Sequence, residues 1–311
     1  MNQKILKFQP VFLEKIWGGD GLKRFGYDIS KENVGECWGI SARSEAVSIV
    51  SGGILKGKSL KELWENNPEL FGGKTAGDFP LLVKIIDAAR DLSVQVHPDD
   101  VYAGAHEHGS LGKTECWYVL NCEDDAQIVY GVNAASKEEL DHMIDKGMWK
   151  ALLNTVKVKK GDVIYIKSGT VHALKAGITV LEVQQNSDIT YRLYDYDRAD
   201  KNGSLRQLHI KQAKDVIDTD APKNIIEDKS ANEVNTLLKT EYFTLEKYIS
   251  GETLHLENKY PFLLLSLIDG EGTITSGDES CAVKKGDHLM ITSCAKKFEL
   301  NGGVTVIAAH I

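Results

Sequence analysis

Two stretches of the chain begin with the same five residues: VKKGDVIYIKSG runs from Val158 to Gly169, and VKKGDHLMITSC runs from Val283 to Cys294. The two copies lie 125 positions apart, and each continues into apolar and β-branched residues that are typical of a strand. A period of this length is too long for a solenoid repeat. It indicates two copies of one β domain.

The remaining patterns predict a mainly-β chain with a few short helices. Short apolar runs are separated by Gly and Asp, as in LLVKIID, LSVQVH, CWYVLN, ITVLEVQQ and FLLLSLIDG. Many short strands with turn residues between them favour barrels or sandwiches over βαβ units. Two segments, 59–70 and 136–153, are predicted to be helical because Ser59 and Ser136 each precede a glutamate by three residues, the capping-box spacing.

The repeat predicts a division of the chain into three parts. Residues 1–215 are expected to form a catalytic domain, the polar stretch 216–235 a connector, and residues 236–311 a second domain. Aligning Gly286 with Gly161 places Lys297 opposite His172. Because a lysine cation is a poor metal ligand, the second domain is expected to be a degenerate, metal-free copy.

Composition limits the possible partners. The 311 residues carry a formal net charge of −8, which disfavours nucleic acid and anionic membranes as partners. Any anionic substrate must therefore meet a local cluster of lysine and arginine. The five cysteines form no C-x-x-C pair, and the first residues lack the uninterrupted apolar stretch of a signal peptide. These features predict a cytoplasmic protein, with its oligomeric state left open.

Three short motifs bring together side chains that suit a metal ion. Gln95 and His97 alternate along one strand, so both point to the same face. Lys113 and Glu115 share a face of the next strand, and a strand–turn unit ends at His172. Two imidazoles, a carboxylate and an amide are typical of a catalytic zinc site that keeps a position open for substrate.

Two alternatives remain open from these residues alone. His106 and His108 form an H-x-H pair close to Glu115 and make a competing ligand set, although the glycine-rich surroundings favour a solvated loop. The nitrogen and oxygen ligands also suit Fe(II), so an iron-dependent oxygenase is a second possibility.

These motifs together resemble a known family. GDVIYIKSGTVH is similar to the second cupin motif, with Lys167 at the position where proline is usual. QVHPDD, GKTE, GTVHAL and SDITYRLYDYDR resemble, in order, the motifs of type I phosphomannose isomerases of the short bacterial branch. Longer members have N-H-K-P-E where this chain has L-G-K-T-E, so one histidine near Lys113 is absent.

The resemblance implies a fold, a reaction and a set of site residues. The fold would be two cupin-type (jelly-roll) β-barrel domains, and the reaction would interconvert mannose 6-phosphate and fructose 6-phosphate through a cis-enediol. One zinc ion per chain would be bound by His97, Glu115, His172 and Gln95. Arg192, Lys113 and Glu182 would be catalytic, with the identity of the base left open, and Ser93, Lys113 and Arg192 would bind the substrate or its phosphate. A non-catalytic cupin that binds a sugar phosphate is the alternative from another functional class.

Overall fold

The computed structural model describes residues 2–73, 75–199, 202–221 and 224–311. Strands predominate in these ranges, which confirms the predicted mainly-β class. The described α-helices are α1 (Leu60–Asn66), α2 (Asp100–His106), α3 (Lys137–Asp145), α4 (Trp149–Leu152) and α5 (Ile210–Val216). Short 3-10 helices span Gly21–Phe25, Ser44–Ala46 and Pro68–Phe71.

Twenty-two strands are described. In chain order they are β1 (Ile5–Gln9), β2 (Val11–Gly19), β3 (Val34–Ile40), β4 (Ile49–Val50), β5 (Leu81–Ala88), β6 (Val94–Val96), β7 (Glu115–Cys122), β8 (Gln127–Val132), β9 (Leu153–Lys157), β10 (Asp162–Ile166), β11 (His172–Leu174), β12 (Ile178–Gln185), β13 (Tyr191–Tyr194), β14 (Ile225–Glu227), β15 (Val234–Lys239), β16 (Thr244–Ser250), β17 (Thr253–Glu257), β18 (Phe262–Ser276), β19 (Glu279–Lys284), β20 (His288–Thr292), β21 (Lys297–Asn301) and β22 (Val304–His310).

The two predicted helical segments begin at their serine caps. The Ser59 hydroxyl accepts a hydrogen bond from the Glu62 backbone N–H at 3.1 Å, and α1 follows directly. Ser136 accepts from the Glu139 N–H at 3.2 Å ahead of α3. Each serine oxygen therefore satisfies a backbone donor that has no partner inside its helix.

The strands form three sheets that stack in layers. A five-stranded sheet has the order β13-β6-β11-β8-β9, and a seven-stranded sheet has the order β14-β10-β7-β12-β5-β3-β2. The third sheet contains ten strands, with β15-β16-β22-β18-β20-β1-β4 as its main path. All pairings within these sheets are antiparallel, as expected for jelly-roll architecture.

The seven-stranded sheet is the middle layer, and its central strands are buried on both faces. Trp117 and Val119 of β7 pack in a core shared with the five-stranded sheet. Cys116 and Tyr118, which alternate with them, pack in a core that includes Phe262 and other residues of the ten-stranded sheet. Every residue of β5 and β12 is consequently buried. This explains why β5 is a mostly apolar run instead of an alternating one.

The repeated VKKGD sequence forms the same turn twice. Gly161 and Gly286 have φ angles of 92° and 91°, in the left-handed region that favours glycine. In the first copy the Asp162 carboxylate accepts a hydrogen bond from the Lys159 N–H at 2.9 Å. In the second copy Asp287 accepts from the Lys284 N–H at 2.8 Å. The shared residues are therefore those that the turn requires.

The first strand of the chain belongs to the ten-stranded sheet. β1 pairs with β20, placing Ile5 opposite Ile291, and with β4. Strands from the predicted catalytic domain thus complete the sheet of the C-terminal domain, and the boundaries at residues 215 and 235 stay a prediction. All five cysteines are free thiols. Among the described residues, no helix combines the length and apolar character needed to cross a membrane.

Candidate active site

The register of the five-stranded sheet aligns three of the predicted site residues. Arg192 of β13 pairs with Gln95 of β6, and Gln95 pairs with His172 of β11. Directly paired residues of antiparallel strands project on the same side of a sheet. The facing seven-stranded sheet contributes Glu115 from β7 and Glu182 from β12. The site thus lies between two sheets and takes side chains from both.

Two histidines and one glutamate converge at the base of this site. His97 Nε2 lies 3.5 Å from Glu115 Oε2, and His172 Nε2 lies 3.3 Å from Glu115 Oε1. The other ring nitrogen of each histidine, Nδ1, contacts a backbone carbonyl: Ile189 O at 2.7 Å for His97 and Thr170 O at 2.8 Å for His172. Because a carbonyl only accepts, each Nδ1 is a protonated nitrogen, which leaves Nε2 as the nitrogen whose lone pair is available to a metal in the neutral ring.

The chemistry of this group fits a divalent cation. All three side chains are buried. Although burial favours its neutral form, the Lys113 and His97 side chains hold the pKa of Glu115 well below its ordinary value. Burial, reinforced by the Lys113 cation, lowers the pKa of His97 well below its usual value. Glu115 Oε1 is buried without a hydrogen-bond partner among the described residues. Ionised carboxylate and neutral imidazole are the forms that bind a metal.

Lys113 and Gln95 border this group. Lys113 Nζ lies 2.6 Å from Glu115 Oε2 and 3.1 Å from His97 Nε2. The Gln95 amide lies 3.4 Å from His172 Nε2. Within the described part of the chain, His97, Glu115 and His172 are the only group of three or more acidic, histidine or cysteine side chains close enough to share a metal ion. His106 and His108, the competing ligand set, therefore do not belong to such a metal-binding group.

A cleft of about 300 Å³ adjoins this group, and the bordering residues Gln95 and Lys113 line it. Its walls come from both sheets and carry more basic than acidic side chains. The lining residues are Lys15, Trp17, Glu36, Lys84, Ile86, Leu92, Ser93, Gln95, Lys113, Glu182, Asp188, Thr190, Arg192 and Arg206. The net positive lining contrasts with the net charge of −8 of the whole chain, so the cleft is a local site for an anion.

Arg192 is held in the cleft wall by neutral partners. Its Nε donates to the Ser93 hydroxyl at 3.3 Å, and its Nη1 donates to the Gln207 carbonyl at 2.8 Å. The nearby Asp195 carboxylate is instead bound by Arg198 at 2.5 Å and Arg206 at 2.6 Å. Arg192 thus forms no direct ion pair with Asp195, the acid nearest to it in sequence.

Glu182 is a buried carboxylate in the same cleft. Its Oε2 accepts a hydrogen bond from Trp117 Nε1 at 2.9 Å, and Oε1 is buried without a hydrogen-bond partner among the described residues. Lys84 Nζ lies 3.6 Å from Glu182 and 3.2 Å from Asp188. Burial and the negative charge of Glu115 raise the pKa of Glu182. A carboxyl group with a raised pKa and one oxygen, Oε1, that accepts no hydrogen bond from the described residues is suited to proton transfer.

Five charged residues of the cleft are not among those predicted from the sequence: Lys15, Glu36, Lys84, Asp188 and Arg206. Lys84 interrupts the otherwise apolar run LLVKII, and a lysine within a fully buried strand is a signal that could have identified it. Burial opposes its charge, but the Asp188, Glu36 and Glu182 carboxylates raise the pKa of Lys84 above its ordinary value. Arg206 lies outside any strand or helix and offers no comparable local signal.

The N-terminal and C-terminal parts of the chain each match a known family model. The model of the phosphomannose isomerase type I catalytic domain matches residues 5–119. The model of the mannose-6-phosphate isomerase cupin domain matches residues 233–311. The chain is 47% identical over 315 residues to mannose-6-phosphate isomerase ManA of Bacillus subtilis, with 100% of both chains covered. It is 46% identical over 311 residues to mannose-6-phosphate isomerase of Streptococcus mutans, covering 97% of this chain and 98% of the other.

Solved structures agree with these matches. The crystal structure of mannose 6-phosphate isomerase from Bacillus subtilis superposes with a TM-score of 0.95 at 46% identity, covering 99% of this chain and 100% of that one. Phosphomannose isomerase from Salmonella typhimurium has a TM-score of 0.81 at 15% identity over 99% of both chains, a likeness of fold alone. Sequence identity along the full length, both domain matches and the shared fold all lead to one conclusion: the chain belongs to the type I mannose-6-phosphate isomerase family.

Proposed function

We propose that the protein interconverts mannose 6-phosphate and fructose 6-phosphate. The observation that carries this proposal is the buried group of His97, Glu115 and His172, which Gln95 and Lys113 connect to a cleft lined by lysine and arginine. The group suits a metal, and the basic lining suits a phosphorylated sugar. The activity named for relatives that are 46–47% identical supports the same assignment.

The metal we assign to this site is zinc, one ion per chain. His97, Glu115 and His172 would bind it through two Nε2 lone pairs and a carboxylate, with the Gln95 amide as a fourth candidate ligand. This donor set matches that of catalytic zinc sites. When bound, zinc would supply Lewis acidity to the carbonyl and hydroxyl oxygens of the sugar.

Arg192, Lys113 and Ser93 are assigned to the substrate. The hydrogen bonds to Ser93 and to the Gln207 carbonyl orient the Arg192 guanidinium before the sugar arrives. A fixed cation that keeps its charge throughout the reaction stabilises the negative charge that develops on the enediolate oxygens. Lys113 and Arg192 can both meet the phosphate, and Ser93 adds a hydroxyl.

Glu182 is assigned as the group that moves the proton. Isomerisation of the aldose removes a proton from C2 and returns it to C1, and the same group can do both across a planar enediol. Glu182 lines the cleft and has a buried oxygen without a hydrogen-bond partner among the described residues. The Lys113 ammonium contacts Glu115 and His97 and is less free to act in this way. Trp117 and Lys84 fix the position of the Glu182 carboxylate.

The proposal extends to the cellular setting. We place the enzyme in the cytoplasm with a small sugar phosphate as its partner, and we assign it no nucleic acid and no membrane. Five free thiols are consistent with a reducing compartment. The net charge of −8 disfavours binding to nucleic acid and to anionic membranes, because both are negatively charged.

A coupled assay tests the activity directly. Zinc-loaded protein is given mannose 6-phosphate, and fructose 6-phosphate is followed through glucose-6-phosphate isomerase and dehydrogenase by reduction of the nicotinamide cofactor. We expect steady turnover by the parent and a loss of at least about 10²-fold in Glu182→Gln, the size typical of a general base. Metal-loaded protein that binds mannose 6-phosphate without converting it would instead favour the non-catalytic alternative. Iron in place of zinc, with oxygen consumption, would favour the oxygenase.

A further inference from the structure

A second cavity, of about 240 Å³, lies where the middle sheet meets the ten-stranded sheet. It shares no lining residue with the cleft described above. Its walls combine the first 3-10 helix, strand β7, the turn before β10 and several parts of the C-terminal domain. The lining residues are Arg24, Phe25, Tyr118, Leu120, Asn121, Lys160, Lys247, Ile268, Asp269, Lys285 and Thr305.

The two copies of VKKGD meet at this cavity. Lys160 and Lys285 occupy the same position in the two turns, and both line it. The Gly286 turn is tightly packed, and the Gly161 turn makes an ordinary van der Waals contact. A Cβ added to Gly286 would lie 2.8 Å from the Phe25 carbonyl oxygen, and one added to Gly161 would lie 3.6 Å from Asp228 Cβ. The repeat therefore brings two equivalent ammonium groups to one space from two different domains.

The charges of the cavity are unevenly compensated. Lys247 pairs with Asp228 at 2.6 Å, and Arg24 lies 3.3 Å from Asp87. Within the described ranges, no carboxylate forms an ion pair with Lys160 or Lys285. Lys285 Nζ lies over the Phe25 ring, 5.2 Å from its centre.

Asp269 is the one acidic residue in the lining, against the four cations Arg24, Lys160, Lys247 and Lys285. Like charges in a partly enclosed space repel one another, and an anion removes that repulsion.

We propose that this cavity is a second anion site, which takes inorganic phosphate or a small phosphate monoester. Its volume lies below the roughly 300–1,000 Å³ of sites for drug-sized ligands, so a nucleotide is too large. Lysine ammonium groups bind phosphate as point charges, and Lys160 and Lys285 have no competing carboxylate partner among the described residues. An anion held by Lys160 and Lys285 bridges the two domains and stabilises their packing, because a ligand that binds only the folded state raises the free energy of unfolding.

The chain provides a matched control for a test. Lys159 and Lys284 are the neighbouring lysines of the same two turns, and neither lines the cavity. Lys159 pairs with Glu227 at the surface, 2.6 Å away. The variant Lys160→Met/Lys285→Met and the control Lys159→Met/Lys284→Met therefore lose the same charge from the same turns. Methionine keeps most of the aliphatic stem in each.

Binding of inorganic phosphate and of glycerol 3-phosphate is measured by calorimetry and by the shift in melting temperature, at constant ionic strength. Inhibition of the isomerase by phosphate reports separately on the cleft and is expected to be equal in both double variants. We expect the control to bind the cavity ligand like the parent, and Lys160→Met/Lys285→Met to bind it at least about tenfold more weakly. Tighter binding of inorganic phosphate would identify the free ion as the ligand, and tighter binding of glycerol 3-phosphate would identify a phosphate monoester. Parental affinity in Lys160→Met/Lys285→Met, or an equal loss in both double variants, would overturn the proposal.

Discussion

Arg192 reaches the cleft because β13 pairs with β6 in a register that sets Arg192 beside Gln95 and, one strand further, His172. Its neighbour Tyr191 alternates to the other face, where it is buried and its hydroxyl donates to Glu107 at 2.8 Å. The guanidinium is thus placed by the sheet and by its bonds to Ser93 and Gln207, before any substrate is bound.

This placement predicts that Arg192 acts on the transition state. In Arg192→Ala we expect kcat to fall by about 10²–10³, the effect of removing one preorganised donor. Arg192→Lys should also be badly impaired, because lysine keeps the charge but loses the planar fork. Steady-state kinetics on mannose 6-phosphate measure both variants. Near-parental kcat with a raised KM in both would make Arg192 a binding residue only.

At the scale of single strands, the second copy of the repeat keeps the turn but not the chemistry. Lys297, opposite His172 in the repeat, begins β21 and is exposed, whereas His172 is buried at the start of β11. The C-terminal domain is therefore predicted to carry no metal and no catalysis. Lys297→Ala should turn over within a few-fold of the parent, with unchanged metal content. A loss comparable to that of His172→Ala would contradict this prediction.

Strand β3 meets β20 at a glycine, and the contact leaves no room for a side chain. A Cβ on Gly39 would lie 2.4 Å from three atoms of the His288 ring. Gly39→Ala is expected to lower the free energy of unfolding by about 1–3 kcal/mol, the usual effect of overpacking. Gly104→Ala is the control, because its Cβ would meet nothing within 4 Å and it lies in α2.

The control substitution should raise stability by up to about 1 kcal/mol, the helix preference of alanine over glycine. Urea unfolding of both variants decides the matter. If Gly39→Ala is as stable as the parent, His288 is free to move away and the contact is not a constraint.

For the molecule as a whole, His288 links acid stability to the packing between sheets. It is buried on β20, with Ser266 Oγ 2.9 Å from Nδ1 and the Tyr27 hydroxyl 3.3 Å from Nε2. Burial lowers its pKa from 6.5 to about 4. Between these two values the unfolded chain binds a proton that the folded chain does not, so stability falls as the pH falls from about 6.5 towards 4.

The expected contribution of His288 between pH 7 and pH 5 is a loss of about 2 kcal/mol. The variant His288→Gln cannot take up this proton and should lose correspondingly less over the same range. The measurement is the free energy of unfolding in urea at both pH values. Equal losses in parent and variant would show that His288 does not carry this dependence.

Local sequence patterns predict those features that depend on neighbouring residues. The alternation of Gln95 and His97, the turn that ends at His172 and the caps at Ser59 and Ser136 are all set within a few residues. The pairing of strands that are distant in sequence is not determined by such local patterns. β1 pairs with β20, where Lys7 lies opposite Leu289, and no local pattern of Ile5–Gln9 specifies that partner. The position of Lys84 in the cleft likewise depends on long-range pairing, that of β5 with β12 and β3.

The central claim of this account is that His97, Glu115 and His172 bind one divalent metal ion between two sheets. The most direct test is the metal content per chain, determined by mass spectrometry on the parent and on the variants His97→Ala and His172→Ala, with circular dichroism to verify their fold. The account predicts one equivalent, as zinc, in the parent and no stoichiometric metal in either folded variant. Full metal retention in both variants would contradict it.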